Sequence, residues 1–118
     1  MILPKYNEYG EMITNERYKE IRKLQALLEL EQIPHEVVKM YDGWQVWYPS
    51  KREGVCDAIE HFGSYGAEDD LLEIMGLLTE EEYECDSVKG HLTAKEVFER
   101  MKKHYLSSKE KKHEEKSL

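Results

Sequence analysis

The sequence predicts an α+β fold: a helix, a three-stranded antiparallel meander, then two or three helices packed on the sheet. Three observations predict it. Apolar residues recur at helical spacing over 15–31, an Asp-Gly dipeptide separates two β-rich runs over 35–48, and Thr-x-x-Glu capping signatures stand at 79–82 and 93–96.

Pro4 and Gly10 interrupt residues 1–14, which are expected as an N-terminal arm or an edge strand. A single domain is expected over 15–106. Between Asn15 and Glu31, Tyr18, Ile21, Leu24, Leu27 and Leu28 form an amphipathic stripe, with Thr14 or Asn15 as the cap and Pro34 as the stop. Residues 35–41 and 44–48 flank Asp42-Gly43, a preferred two-residue loop because both positions call for positive φ. The register that follows pairs Tyr41 with Trp44, Lys39 with Val46 and Val37 with Tyr48 on one face. Val38, Met40 and Trp47 fall on the other, so both faces carry apolar groups and need cover or expose a surface for binding.

After a turn over 49–54, residues 55–61 supply the third strand. The loop Phe62-Gly-Ser-Tyr-Gly66 leads to a second helix. Glu68, Asp69 and Asp70 suit its first turn, and Leu71, Leu72, Ile74, Met75 and Leu78 form its buried stripe. At the last helix, Leu92 and Val97 flank the Thr93 cap as a hydrophobic staple, and Val97, Phe98, Met101 and Tyr105 face inward. Residues 107–118 show no apolar period and are expected to form a disordered or frayed charged tail.

Composition excludes several classes of function. The chain of 118 residues carries a net charge of −8, which opposes direct binding of nucleic acid. No apolar run approaches the ~18 residues of a membrane span, and the first residues lack a basic region followed by an apolar stretch. Two cysteines make no disulfide framework, so a cytoplasmic location is expected. The charge is uneven: between Glu53 and Asp86 there are acids at 53, 57, 60, 68, 69, 70, 73, 80, 81, 82, 84 and 86, and no Lys or Arg. Such a stretch is either a solvated surface or a face that attracts a basic partner.

Motifs of chemistry are few. The glycine loop at 62–66 is no Walker motif, since no Lys follows its second glycine. Cys56, His61, Cys85 and His91 lack zinc-finger spacing, and no metal or other cofactor is expected. Cys56 or Ser64 beside His61 could be written as a nucleophile and base, but no elbow motif supports either, and no enzyme is expected. The aromatic set Tyr41, Trp44, Trp47 and Tyr48, with Lys51 and Arg52 beyond it, is of the kind found at binding hot spots. The element order is also that of double-stranded-RNA-binding domains, yet Glu68-Asp69-Asp70 stands where that domain needs basic residues.

Three blocks carry a family resemblance. They are Ile33-Pro-His-Glu with Tyr41-Asp-Gly-Trp-Gln-Val; Ile59-Glu-His-Phe-Gly-Ser-Tyr-Gly with Leu71-Leu-Glu-Ile-Met-Gly-Leu-Leu-Thr; and Asp86-Ser-Val-Lys-Gly-His-Leu-Thr-Ala-Lys-Glu-Val-Phe. Over residues 16–105 the chain resembles small uncharacterised proteins of prophages and mobile elements of Gram-positive bacteria. The resemblance brings no catalytic residues with it. It implies a phage accessory role, often directed at host defence.

Two functional expectations result. The first is a non-enzymatic accessory protein that binds and modulates a host protein with a basic surface. An anti-CRISPR-like inhibitor would present Glu68, Asp69, Asp70, Glu73, Glu80, Glu81 and Glu82 to the nucleic-acid channel of a defence nuclease. The alternative is a protein that sequesters a small nucleotide ligand through Trp44, Trp47, Tyr48, Arg52, His61, Ser64 and Tyr65. No membrane partner is expected, and exposed sheet edges also allow a homodimer.

Overall fold

A computed structural model describes residues 18–117 and the short segments 5–6 and 12–13, with side chains from 18 to 110. Strands Lys5–Tyr6 (β1) and Met12–Ile13 (β2) pair antiparallel. The rest of the expected arm, and the caps Thr14 and Asn15, lie outside the described residues.

Helix α1, Lys19–Leu30, buries Ile21, Leu24 and Leu28, the stripe its sequence spells. It stops before Pro34. The Gln32 amide donates to the Glu29 carbonyl (3.1 Å) and the Ile33 amide to the Leu28 carbonyl (2.9 Å), a Schellman ending with Ile33 and Leu28 both buried. Gln32 holds the left-handed position of that motif at φ 56°, where glycine is the usual residue.

Five strands then run as a meander: Glu36–Met40 (β3), Gly43–Tyr48 (β4), Cys56–Glu60 (β5), Leu72–Met75 (β6) and Val88–Leu92 (β7). Their order in the sheet is their order in the chain, and every pair is antiparallel. The α+β class is as expected, but the sheet has five strands where the sequence predicts three. Residues 71–78, read as a helical stripe, hold β6 instead. Leu72 and Ile74 are buried while Met75 is exposed, a period of two that a short apolar run hides. The acids expected in a helical first turn form only a 3-10 turn, Ala67–Asp69, closed by Asp70 at φ 55°. β7 occupies a stretch for which the sequence predicts no element.

The hairpin register also differs. Tyr41 and Asp42 form the loop, with the positive φ (53°) on Tyr41, and Gly43 pairs with Met40 inside the sheet. Lys39 therefore faces Trp44, and Val37 faces Val46. Gly43 is needed in the strand for close approach: a Cβ there would stand 1.8 Å from the Glu60 carbonyl oxygen. The shift is two residues, so the expected division of side chains between faces survives.

Helix α2, Glu80–Cys85, opens on the capping box read from the sequence, Thr79 with Glu82. Arg100 grips the same Glu82 with two bonds of 2.7 Å and also donates to the Leu77 carbonyl. The Arg100 guanidinium and the Thr79 amide hold Glu82 at a pKa of about 2. Helix α3, Ala94–Ser117, begins at the Thr93–Glu96 box and takes in the charged tail. No helix among the described residues is long and apolar enough to cross a membrane.

Both long helices cover one face of the sheet. Val46, Tyr48, Cys56, Ala58, Leu72 and Ile74 from the strands meet Ile21, Leu24, Leu28, Val97 and Met101 in a single core. On that same face Glu60 is fully buried, and its Oε1 accepts the Ile21 amide at 3.1 Å. Its Oε2 has no hydrogen-bond partner among the described residues. Burial, with the Asp70 and Glu20 carboxylates nearby, pushes the Glu60 pKa up to about 9.

Two stability predictions follow from this geometry. Gln32→Gly relieves a strained left-handed residue and should raise stability by about 1 kcal/mol in thermal melts. For Glu60, the unfolded carboxyl ionises near 4.5 and the folded one near 9, so folding takes up a proton in that window and stability falls as pH rises through it. Glu60→Gln keeps an acceptor for Ile21 and removes the titration. Urea melts should show the variant close to wild type near pH 5 and more stable by on the order of 2 kcal/mol at pH 9. Parallel pH profiles for the two proteins would refute the assignment.

Candidate functional site: the uncovered sheet face

Side chains alternate along each strand, so the residues between those of the core point away from the helices. On this second face lie Val38 and Met40 of β3, Gln45 and Trp47 of β4, Asp57 and Ile59 of β5, and Glu73 and Met75 of β6. Gln45 and Asp57 are buried there, Val38, Met40, Trp47, Ile59 and Glu73 are half-buried, and Met75 is exposed. A cavity of about 410 Å³ opens here, lined by Met40, Tyr41, Gln45, Asp57, Ile59, His61, Gly63, Glu73 and Met75.

At its base Gln45 Nε2 donates to Asp57 Oδ2 at 2.8 Å, and both side chains are buried. Burial raises the Asp57 pKa, and the bond from Gln45 opposes that rise. Glu73 stands in the wall, its Oε1 accepting the Tyr65 amide at 2.9 Å. The lining contains two carboxylates and no Lys or Arg.

The loop after β5 builds one end. Ser64 Oγ accepts the His61 amide (3.0 Å) and donates to the His61 carbonyl (2.9 Å), closing the turn on itself. The Gly63 amide donates to His61 Nδ1 at 3.0 Å, so a neutral ring carries its proton on Nε2. The loop then crosses β7 closely enough that a Cβ on Gly90 would lie 2.4 Å from that of Tyr65. This crossing falls at a bulge in the β6–β7 ladder, where His91 adopts φ 59°.

Around the rim the apolar groups are exposed. Tyr41 is 70% exposed, Phe62 66% and Met75 52%. Tyr41 meets the His61 and Phe62 rings edge-on, at 5.0 and 5.7 Å between centroids. Asp42 fixes this corner: its Oδ1 accepts the Phe62 amide at 3.0 Å, and its Oδ2 accepts the Tyr18 hydroxyl.

The residues of the expected acidic set differ in exposure and in what they bind. Glu68, Asp69, Glu80 and Glu81 are exposed, as are Glu53, Glu84 and Asp86. Asp70 accepts the Glu20 amide at the start of α1, and Glu82 serves the α2 cap and Arg100. Glu73 alone of that set lines the cavity.

The expected ligand set is divided too. Trp44 and Trp47, three residues apart on a strand, point to opposite faces. Tyr48 is buried with the helices, its hydroxyl 2.8 Å from His104 Nδ1, and Arg52 is exposed in the loop beyond. Ser64 is consumed by its own turn, Tyr65 is exposed beside the loop, and His61 reaches the cavity.

Cys56 and His61 do not form a pair. Cys56 lies in the core, where burial and the Asp57 carboxylate push its thiol up to about 12, while His61 opens to the other side. Among the described residues no three His, Cys, Asp or Glu side chains gather as metal ligands. Sequence reasoning missed Gln45, Phe62 and Met75 as site residues, and it had Asp57 only as one acid of the 53–86 stretch. Asp57 was detectable as an acid at an alternate position of a strand whose neighbours are apolar; Met75 was hidden by the helical reading of 71–78. No protein-family model, curated protein or solved structure matches this chain.

Proposed function

We propose that this is a non-enzymatic binding protein in which the cavity on the second sheet face receives a basic segment of a partner protein. One observation carries the reading: the face joins Asp57 and Glu73 to exposed Tyr41, Phe62 and Met75, with no positive charge in the lining. Exposed aromatic and methionine side chains are anchors of the kind that dominate interface energies. Carboxylates beside an aromatic ring suit a lysine or arginine reaching between them. The outer acids, Glu68, Asp69, Glu80 and Glu81, then steer the encounter rather than hold the complex.

A catalytic role finds little support in the same geometry. The Cys56 thiol is protonated at neutral pH, and the Ser64 hydroxyl is spent on its own loop. With the resemblance to prophage-borne proteins, the partner would be a host protein, and the basic nucleic-acid channel of a defence nuclease fits the charge.

A host-protein complex captured by the wild-type chain tests this. Combining Tyr41→Ser with Met75→Asp should weaken that complex by at least about 30-fold, mainly through faster dissociation. Reversing Glu68 and Asp69 to Lys should instead slow association and reduce its salt dependence. Asp70 is unsuitable for such reversal because it supports α1. A complex indifferent to both Tyr41 and Met75 would remove this face from consideration.

A further inference from the structure

We infer that a separate cleft, between α1 and the β3–β4 hairpin, binds a planar anionic small molecule of the size of a nucleoside monophosphate. The cleft encloses about 350 Å³ and is lined by Ile21, Arg22, Gln25, Val37, Trp44 and Val46. It lies on the helix-bearing side of the sheet and is independent of the partner-binding face. Its volume falls in the range of small-ligand sites.

The lining divides by chemistry. Ile21 and Val46 are buried and Val37 half-buried, giving an apolar floor. Trp44 stands half-buried in the wall, offering indole surface to a flat ring. Lys39 Nζ sits 4.4 Å from the centre of that ring. Arg22 completes the polar side, and it makes no hydrogen bond or ion pair among the described residues.

That last feature decides the sign of the ligand. In a chain of net charge −8, with 25 Asp and Glu, an arginine in a cleft has found no carboxylate. None lines the cleft either. Gln25 of the lining is itself bound to Glu29, its Nε2 donating to Oε1 at 3.1 Å. Gln25 so bound presents its carbonyl oxygen as an acceptor for an amino group. A guanidinium offers a phosphate two parallel donors. Base on Trp44 and phosphate on Arg22 is the arrangement the lining fits.

Trp47→Phe leaves Trp44 as the single tryptophan and therefore as the reporter. Titration with adenosine monophosphate should quench its emission saturably. Adenosine and inorganic phosphate, tested separately, should each bind at least about tenfold more weakly, since each keeps half of the contacts. Arg22→Gln should weaken monophosphate binding about tenfold with no change in melting temperature. Calorimetry on the unsubstituted protein reads the same affinities without relying on Trp47→Phe. No saturable binding, equal binding by Arg22→Gln, or phosphate binding as well as the nucleotide would each overturn the assignment.

Discussion

The start of α1 is held by carboxyls that come from elsewhere in the chain, and much of the architecture depends on them. Tyr18 occupies the cap position in a left-handed conformation and makes no side-chain cap bond. Glu60 of β5 accepts the Ile21 amide instead, and Asp70 accepts that of Glu20. These are amides that every helix leaves without an internal partner. Glu20 in turn accepts the Ala94 amide at the start of α3, at 2.5 Å. Strand, turn and both long helices are thus joined by a succession of carboxyl-to-amide bonds. The helices are fixed on one side of the sheet, and the opposite side is left for other uses.

Alternation along the strands then assigns adjacent residues to different tasks. Cys56 is core, and Asp57 is the floor of the cavity. Ile74 is core, and Glu73 is its wall. Trp44 lines a cleft under α1, while Trp47 looks to the other side. The acids of the run from 53 to 86 therefore serve different tasks. Glu60, Asp70 and Glu82 support helix ends, Asp57 and Glu73 shape a binding surface, and seven others face solvent.

Elements with long or reciprocal signals were legible in the sequence. The stripe of α1 and the two capping boxes each involve several residues at fixed spacing, and all of them form, while Leu92 and Val97 of the expected staple are both buried in the core. β6 was not legible, because Leu71-Leu-Glu-Ile-Met fits a helical face and a strand equally until its neighbours are known. β7 is short, contains Gly90 and is bulged at His91, so its own preferences are weak and the ladder with β6 decides it. The hairpin register turned on a contact outside the hairpin, since Gly43 is required by the Glu60 carbonyl rather than by the turn. The candidate site was legible only in fragments for the same reason. His61 and Glu73 stand out as residue types, but joining them to Asp57, Tyr41 and Met75 needs the sheet.

A meander in which each strand pairs with its neighbours in sequence has a kinetic consequence. The contacts that close β3 through β7 join strands that are neighbours in the chain, so little chain entropy is lost as each strand joins the last. Among the described residues α1 meets α3 across a long stretch of chain, Glu20 accepting from the Ala94 amide 74 residues on. The sheet can zip progressively while both helices wait. The docking of α3 onto α1 is then the late event that buries the core, and damage at the Ala94 end of α3 would speed unfolding more than it slows folding.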